Sequence, residues 1–156
     1  MVVEEQGGLL QDLPGRCVVV LQVNCRGEPM PGPAQALAVK YPEWFKSYRD
    51  FCSLFRDGYV KDTLGDVHAF KASDGLIVCG VLAQVGTGKN SRATSWGAWE
   101  KGLKWLKARV PRLGGPGEGW KVRIQGFQDE GHEQELLRLV KDAFEASGVD
   151  VSVRRG

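Results

Sequence analysis

The sequence predicts an α/β domain, a three-layer α/β/α sandwich around a mixed, mostly buried central sheet. Three observations carry that expectation. Cys17–Val23 and Leu76–Ala83 are near-continuous apolar runs rich in Val, the pattern of strands covered on both faces. Three longer segments repeat apolar residues at spacings of three and four, the period of an amphipathic helix. Strand-like and helix-like stretches also alternate along the chain, which favours a layered α/β build. The 156 residues read as one domain spanning 1–156, long enough to bury a substantial core.

In chain order, Met1–Glu5 is a candidate edge strand and Cys17–Val23 a buried strand interrupted only by Gln22. Pro33–Val39 predicts a short helix with proline in its first turn. Pro42–Phe55 predicts a longer one, with Phe45, Tyr48, Phe51, Cys52 and Phe55 on one side. Val67–Lys71, Trp120–Gln125 and Val149–Val153 alternate like more exposed strands. Ser95–Val110 begins at a Ser/Thr cap and presents Trp99, Leu103, Leu106 and Val110 together. Glu130–Ala146 repeats the pattern and stops before Gly148. Pro111–Gly119, with four glycines and two prolines, is expected to be a loop.

Composition excludes several classes. Apolar residues make up 42% and charged residues 26%, as in ordinary globular domains, and the net charge of +2 gives no electrostatic case for a nucleic-acid or membrane binder. Lys101, Lys104, Lys107 and Arg109 form the one dense basic group and read as a solvated helix face. The four cysteines, Cys17, Cys25, Cys52 and Cys79, contain no C-x-x-C pair, and only two histidines accompany them. Buried free thiols in a reducing compartment are therefore expected, with no metal and no cofactor. The opening M-V-V-E-E-Q lacks a basic, apolar leader, and no apolar run reaches membrane-spanning length. A soluble, cytoplasmic monomer is the expectation.

The chemistry concentrates in three glycine-bearing turns that follow strands. In Asn24–Ala34, Asn24 stands where the strand stops, and its amide can donate to and accept from a ribose hydroxyl. Gly27 and Gly32 permit close backbone approach, and the following helix can aim its positive end at an anion. Turn geometry alone explains those glycines equally well. The second turn, Gln84–Arg92, sets Gly86, Thr87, Gly88, Lys89 and Ser91 ahead of a helix, the ingredients of a phosphate cradle. It is not a P-loop, because Asn90 stands where Ser or Thr is required after Gly-Lys. In the third turn, Gly126–Gly131, Phe127 can stack on a base or tuck into the core, and Asp129 and Glu130 can simply favour the start of the helix. Trp96, Trp99 and Trp105 share one helix, with Trp99 the core candidate and one of the others available to a partner.

These turns occur in the order of the binding loops of the macrodomain family, which the chain resembles over most of its length. V-N-C-R-G at Val23–Gly27 is similar to the family's first signature, and Q-G-G-L-L-Q at Gln6–Gln11 to its opening segment. K-Y-P-E-W-F-K-S-Y at Lys40–Tyr48 resembles the helix of the ADP-ribosyl glycohydrolase branch found in toxin–antitoxin systems. Val81–Trp96 and Ala143–Val153 resemble the second-loop region and the last helix and strand.

The resemblance implies binding of ADP-ribose or a related nucleotide, as a reader or eraser of ADP-ribosylation, through Asn24, Gly27, Gly32, Gln84, Gly86, Thr87, Gly88, Lys89, Ser91 and Phe127. It also implies, as alternatives, ADP-ribosyl glycohydrolase activity on modified protein or nucleic acid, with Lys89 desolvated as the attacking or polarising group and Asp129 as the acid, or a degenerate domain kept for protein interaction. The sequence departs from the family's pattern in each binding segment. Gly8 stands where the family places an adenine-binding Asp, Pro31 and Pro33 flank Gly32 and remove two N–H donors, and the third loop carries Asp129 and Glu130 instead of a glycine run. The family's lysine position falls nearer Thr87 than Lys89.

Overall fold

The computed structural model describes residues 1–54, 60–90, 92–113 and 120–155. Strands β1 (Val2–Gln6), β2 (Cys17–Asn24), β3 (Val67–Lys71), β4 (Ile77–Gln84), β5 (Lys121–Gln125) and β6 (Asp150–Arg155) form one sheet in the order β1-β6-β5-β2-β4-β3. Every pairing is parallel except β3 with β4, so the sheet is mixed as expected. Helices α1 (Pro33–Lys40), α2 (Pro42–Ser53), α3 (Trp96–Leu113) and α4 (Glu130–Phe144) complete the layers, with a short 3-10 turn, Val60–Thr63, before β3.

The apolar run of β2 exists because both its faces are covered. Val18 and Val20 point into a core with Trp99, Leu103 and Leu106 of α3 and Leu136 and Val140 of α4. Cys17, Val19, Leu21 and Val23 point the other way, onto Leu37 of α1 and Trp44 and Tyr48 of α2. Each such Val or Leu contributes roughly 1.5–3 kcal/mol on burial, which is why β2 and β4 are the most legible strands. The four cysteines are buried and none is joined in a disulfide. Burial pushes the Cys17 thiol up to about 11 and that of Cys79 to about 12.

The α1/α2 layer covers only half of the sheet. Pairing register puts Arg123 of β5, Ser152 and Arg154 of β6 and Glu5 of β1 on that same side. There the cover is the chain between β1 and β2. Buried Arg123 holds it in place by donating to the carbonyls of Leu9 (3.2 Å), Gln11 (2.6 Å) and Asp12 (3.2 Å).

Two boundaries depart from the sequence expectation. Helix α3 continues through Pro111 to Leu113, where a loop was expected. Proline in the last turn forfeits one backbone hydrogen bond, and the packing of an 18-residue amphipathic helix outweighs that local cost of ~3 kcal/mol. Helix α2 ends at Ser53, and Phe55, together with the expected loop residues 114–119, lies outside the described residues. The basic face of α3 is solvated as expected, with Lys101 paired to Asp66 and Lys104 to Glu100. Of its tryptophans, Trp99 is fully buried while Trp96 and Trp105 are half-buried, and the Arg109 guanidinium covers the Trp105 ring at 4.8 Å. No helix among the described residues is long and apolar enough to cross a membrane.

Candidate functional site

The sheet topology itself makes a cleft. From β5 the chain passes through α4 to β6 on one side; from β2 it passes through α1 and α2 toward β3 and β4 on the other. Adjacent parallel strands whose connections depart in opposite directions leave a crevice at their carboxyl ends, the usual ligand position in open α/β sheets. Here the strands visibly part. The β2–β5 ladder ends at Val20–Ile124, while β2 continues beside β4 to Asn24–Gln84. Where β5 leaves, the Gln125 side chain takes its place and accepts the Gln22 backbone N–H at 3.1 Å.

Below this opening lies a buried polar network. Gln22 Nε2 donates to Gln84 Oε1 (3.1 Å) and Thr94 Oγ1 (3.2 Å), and its Oε1 accepts the Trp99 indole N–H at 2.8 Å. Gln84 Nε2 then donates to the Gly86 carbonyl at 2.7 Å. The lone polar interruption of the β2 run is thus the hub joining β2, β4, α3 and the second loop. Its polarity was visible in the sequence, but its partners lie 62 to 77 residues away and were not.

The first loop, between β2 and α1, is built around Asn24. Its Oδ1 accepts the N–H groups of Arg26 and Glu28 (both 3.0 Å), its Nδ2 donates to the Glu28 carbonyl (2.9 Å), and Tyr48 Oη donates to its own carbonyl at 2.6 Å. The side chain is fully buried. The expected ribose contact is therefore replaced by loop scaffolding, because the two loop N–H groups leave the Asn24 oxygen no free approach. Gly27 has φ +70°, and a Cβ there would stand 3.2 Å from both Arg49 Cα and Cys52 Cβ, so this glycine serves packing against α2. Gly32, at φ +81°, caps α1 in open space.

The second loop approaches the first through Thr87, whose hydroxyl donates to Glu28 Oε2 at 2.8 Å. Gly86 is buried, and Gly88 and Lys89 are exposed. Exposure removes the desolvation on which an activated Lys89 depends. Ser91 lies outside the described residues. Ser95 caps α3, its Oγ accepting from Ala98 N at 3.2 Å.

The third loop is pinned residue by residue. Gly126 N donates to the Arg154 carbonyl (2.7 Å), Phe127 N to Glu133 Oε1 (2.8 Å), and Arg155 donates to the Gln128 carbonyl (2.8 Å). Asp129 caps α4 by accepting the His132 N–H at 3.0 Å, the electrostatic role foreseen as one alternative. Phe127 packs among Trp96 (5.5 Å), His132 (5.7 Å) and Trp99 (6.5 Å) instead of projecting into solvent. Glu133 is fully buried, which raises its carboxyl pKa; the Phe127 N–H partly opposes that rise and nearby Glu4 adds to it. Among the described residues no cluster of His, Cys, Asp and Glu is arranged to hold a metal.

No family model and no curated protein matches the chain at the sequence level. Solved structures do match. A macrodomain protein from Streptomyces coelicolor superposes with a TM-score of 0.80 at 16% identity, covering 100% of this chain and 99% of that one. The fold is that of a macrodomain. The macrodomain of Thermus aquaticus DarG matches at 0.77 and 19% identity over 100% and 99% of the two chains. Thermosipho africanus DarTG in complex with ADP-ribose matches at 0.66 and 14% identity, over 88% of this chain and 37% of that one. In this fold the three glycine-bearing loops leave the carboxyl ends of the adjacent central strands β2, β4 and β5.

Proposed function

We propose that this macrodomain-fold protein binds ADP-ribose or a related nucleotide in the cleft between the carboxyl ends of β2 and β5, as a reader of ADP-ribosylation. The observation that carries the reading is the parting of those strands beneath three loops, in a fold shared with a protein solved in complex with ADP-ribose. The second loop would offer its backbone at Gly86 and Thr87, with exposed Lys89 as a cation for a phosphate. Phe127, set on Trp96 and His132, offers a ring edge at the third loop. Modified protein or nucleic acid would reach the cleft from solvent, carrying the nucleotide as a covalent group.

Binding is favoured over turnover. Asp129 already caps α4, and Lys89 has no buried neighbourhood that would make it a nucleophile. Calorimetric titration with ADP-ribose tests the reading: saturable heat is expected, and none at high protein concentration removes it. A hydrolase, the second reading, favoured by the likeness to DarG macrodomains, requires release of ADP-ribose from a modified macromolecule. That release must be lost in Lys89→Ala or Asp129→Ala.

A further inference from the structure

The α1/α2 layer stops short of β5, β6 and β1, and a groove of about 370 Å³ remains there between the sheet and the chain that crosses it. It extends to the amino-terminal ends of these strands, at Met1, Lys121 and Asp150, opposite to the end that carries the cleft. Strand register sets Arg123 beside Ser152, and both line the groove.

Arg123 is only 6% exposed, yet no carboxylate among the described residues comes within ion-pair distance of it. It bonds the carbonyls of Leu9, Gln11 and Asp12, two through Nη1 and one through Nη2. A guanidinium has five N–H donors, so Nε–H and one Nη2 proton have no acceptor among the described residues. Burying a charge against neutral partners alone is costly, and an anion in the groove would offset that cost. Burial, and after it the Arg154 guanidinium, lowers the Arg123 pKa, which reports the same missing counter-charge. Lys121 Nζ and Ser152 Oγ also line the groove, and neither has an ion pair or hydrogen bond among the described residues. Burial raises the Cys17 thiol to about 11 while Arg123, Lys121 and Arg154 oppose the rise, so the three cations converge on one part of the floor.

The acids of the groove limit the guest's charge. Glu5 is engaged by Arg154 at 3.1 Å and Asp150 by the Met1 ammonium at 3.8 Å. Lys121 and Arg123 then face Asp12 alone, one positive charge in excess. A monoanion neutralises that excess, and a phosphate dianion exceeds it. Val3 and Pro14 supply apolar wall, and the volume suits a small molecule.

We propose that this groove is a second binding site, for an organic monocarboxylate that accepts from Arg123, Lys121 and Ser152 while its apolar body lies against Val3 and Pro14. Amide and Arg Nε–H NMR signals of the intact labelled chain test it, with benzoate as the probe. Benzoate is expected to shift Arg123 Nε–H and the Lys121 and Ser152 amides saturably. Benzamide, its uncharged counterpart, should bind about tenfold or more weakly, the worth of one hydrogen bond to a charged group, and inorganic phosphate should also bind more weakly than benzoate. Arg123→Lys keeps a cation and three donors for the three carbonyls but leaves none over, so benzoate binding should fall about tenfold. Lys121→Gln removes an exposed cation that holds nothing in place; benzoate should weaken about threefold with the melting temperature unchanged. No shift with benzoate, benzamide or phosphate binding as tightly, or wild-type affinity in both variants overturns the proposal. The site is independent of the cleft reading, because ADP-ribose has no carboxylate and should leave these signals in place.

Discussion

Replacing Gln22 by Leu removes the hub beneath the cleft with little change in volume. Three hydrogen bonds go: from the Trp99 indole at 2.8 Å, to Gln84 at 3.1 Å and to Thr94 at 3.2 Å. The last two partners can turn to other acceptors or water at the loop. Trp99 cannot, being fully buried, so its N–H is stranded at a cost of about 1–3 kcal/mol. With about 1 kcal/mol for the other bonds together, and some return from a more apolar side chain, the net loss is roughly 2–3 kcal/mol. For a domain of this size that corresponds to a fall in melting temperature of roughly 4–12 °C. The double variant Gln22→Leu/Trp99→Phe no longer strands a donor and should be less damaging than the two single losses summed, by about 1 kcal/mol. Urea unfolding of the four proteins measures the cycle. A loss under 0.5 kcal/mol for Gln22→Leu, or strict additivity, would refute the hub.

Three further outcomes follow from packing and charge. Gly126→Ala places a Cβ 2.8 Å from the Arg154 carbonyl and 3.0 Å from both Glu133 carboxylate oxygens; a cost of about 1–3 kcal/mol is expected in chemical denaturation. Glu133 has a folded-state pKa raised by burial, so its contribution is full below the ordinary carboxylate range and lost as pH rises through the raised value. Glu133→Gln keeps an acceptor for Phe127 N and should match the wild type near pH 4 but exceed its stability at pH 7; the reverse order contradicts the assignment. His68 is pushed down to about 4 by burial, with Ser47 Oγ 2.9 Å from its Nε2. Its ring signals should titrate near pH 4 instead of 6.5, with stability falling as pH drops from about 6.5 toward 4, because the unfolded chain binds that proton first.

The layers were legible because burial on both faces leaves continuous apolar runs at β2 and β4, and one-sided packing leaves three-four periodicity in α2, α3 and α4. The three loops could be placed because glycine, proline and cap residues punctuate them. Their internal bonding could not. Asn24 reads as an available amide until the Arg26 and Glu28 N–H groups are seen to occupy it. Glu28, unremarked among loop residues, bridges to Thr87 across 59 positions, and Glu133 looks like one more surface acid of α4 until burial beneath Phe127 is seen. Side-chain partners set by the crossing of strands have no short-range signature. Nor does the incomplete α1/α2 layer, since the alternation of β5 and β6 is the same under a helix or under a loop.

The central claim is that a nucleotide occupies the cleft where β2 and β5 part. Backbone amide chemical shifts of the labelled protein, followed through an ADP-ribose titration, test it most directly. The prediction is saturable shifts at Gln84–Gly88, Gly126 and Phe127, with the distant strand ends at Val18 and Lys121 unmoved. No shifts at saturating ligand, or shifts confined to β1 and β6, would contradict the account.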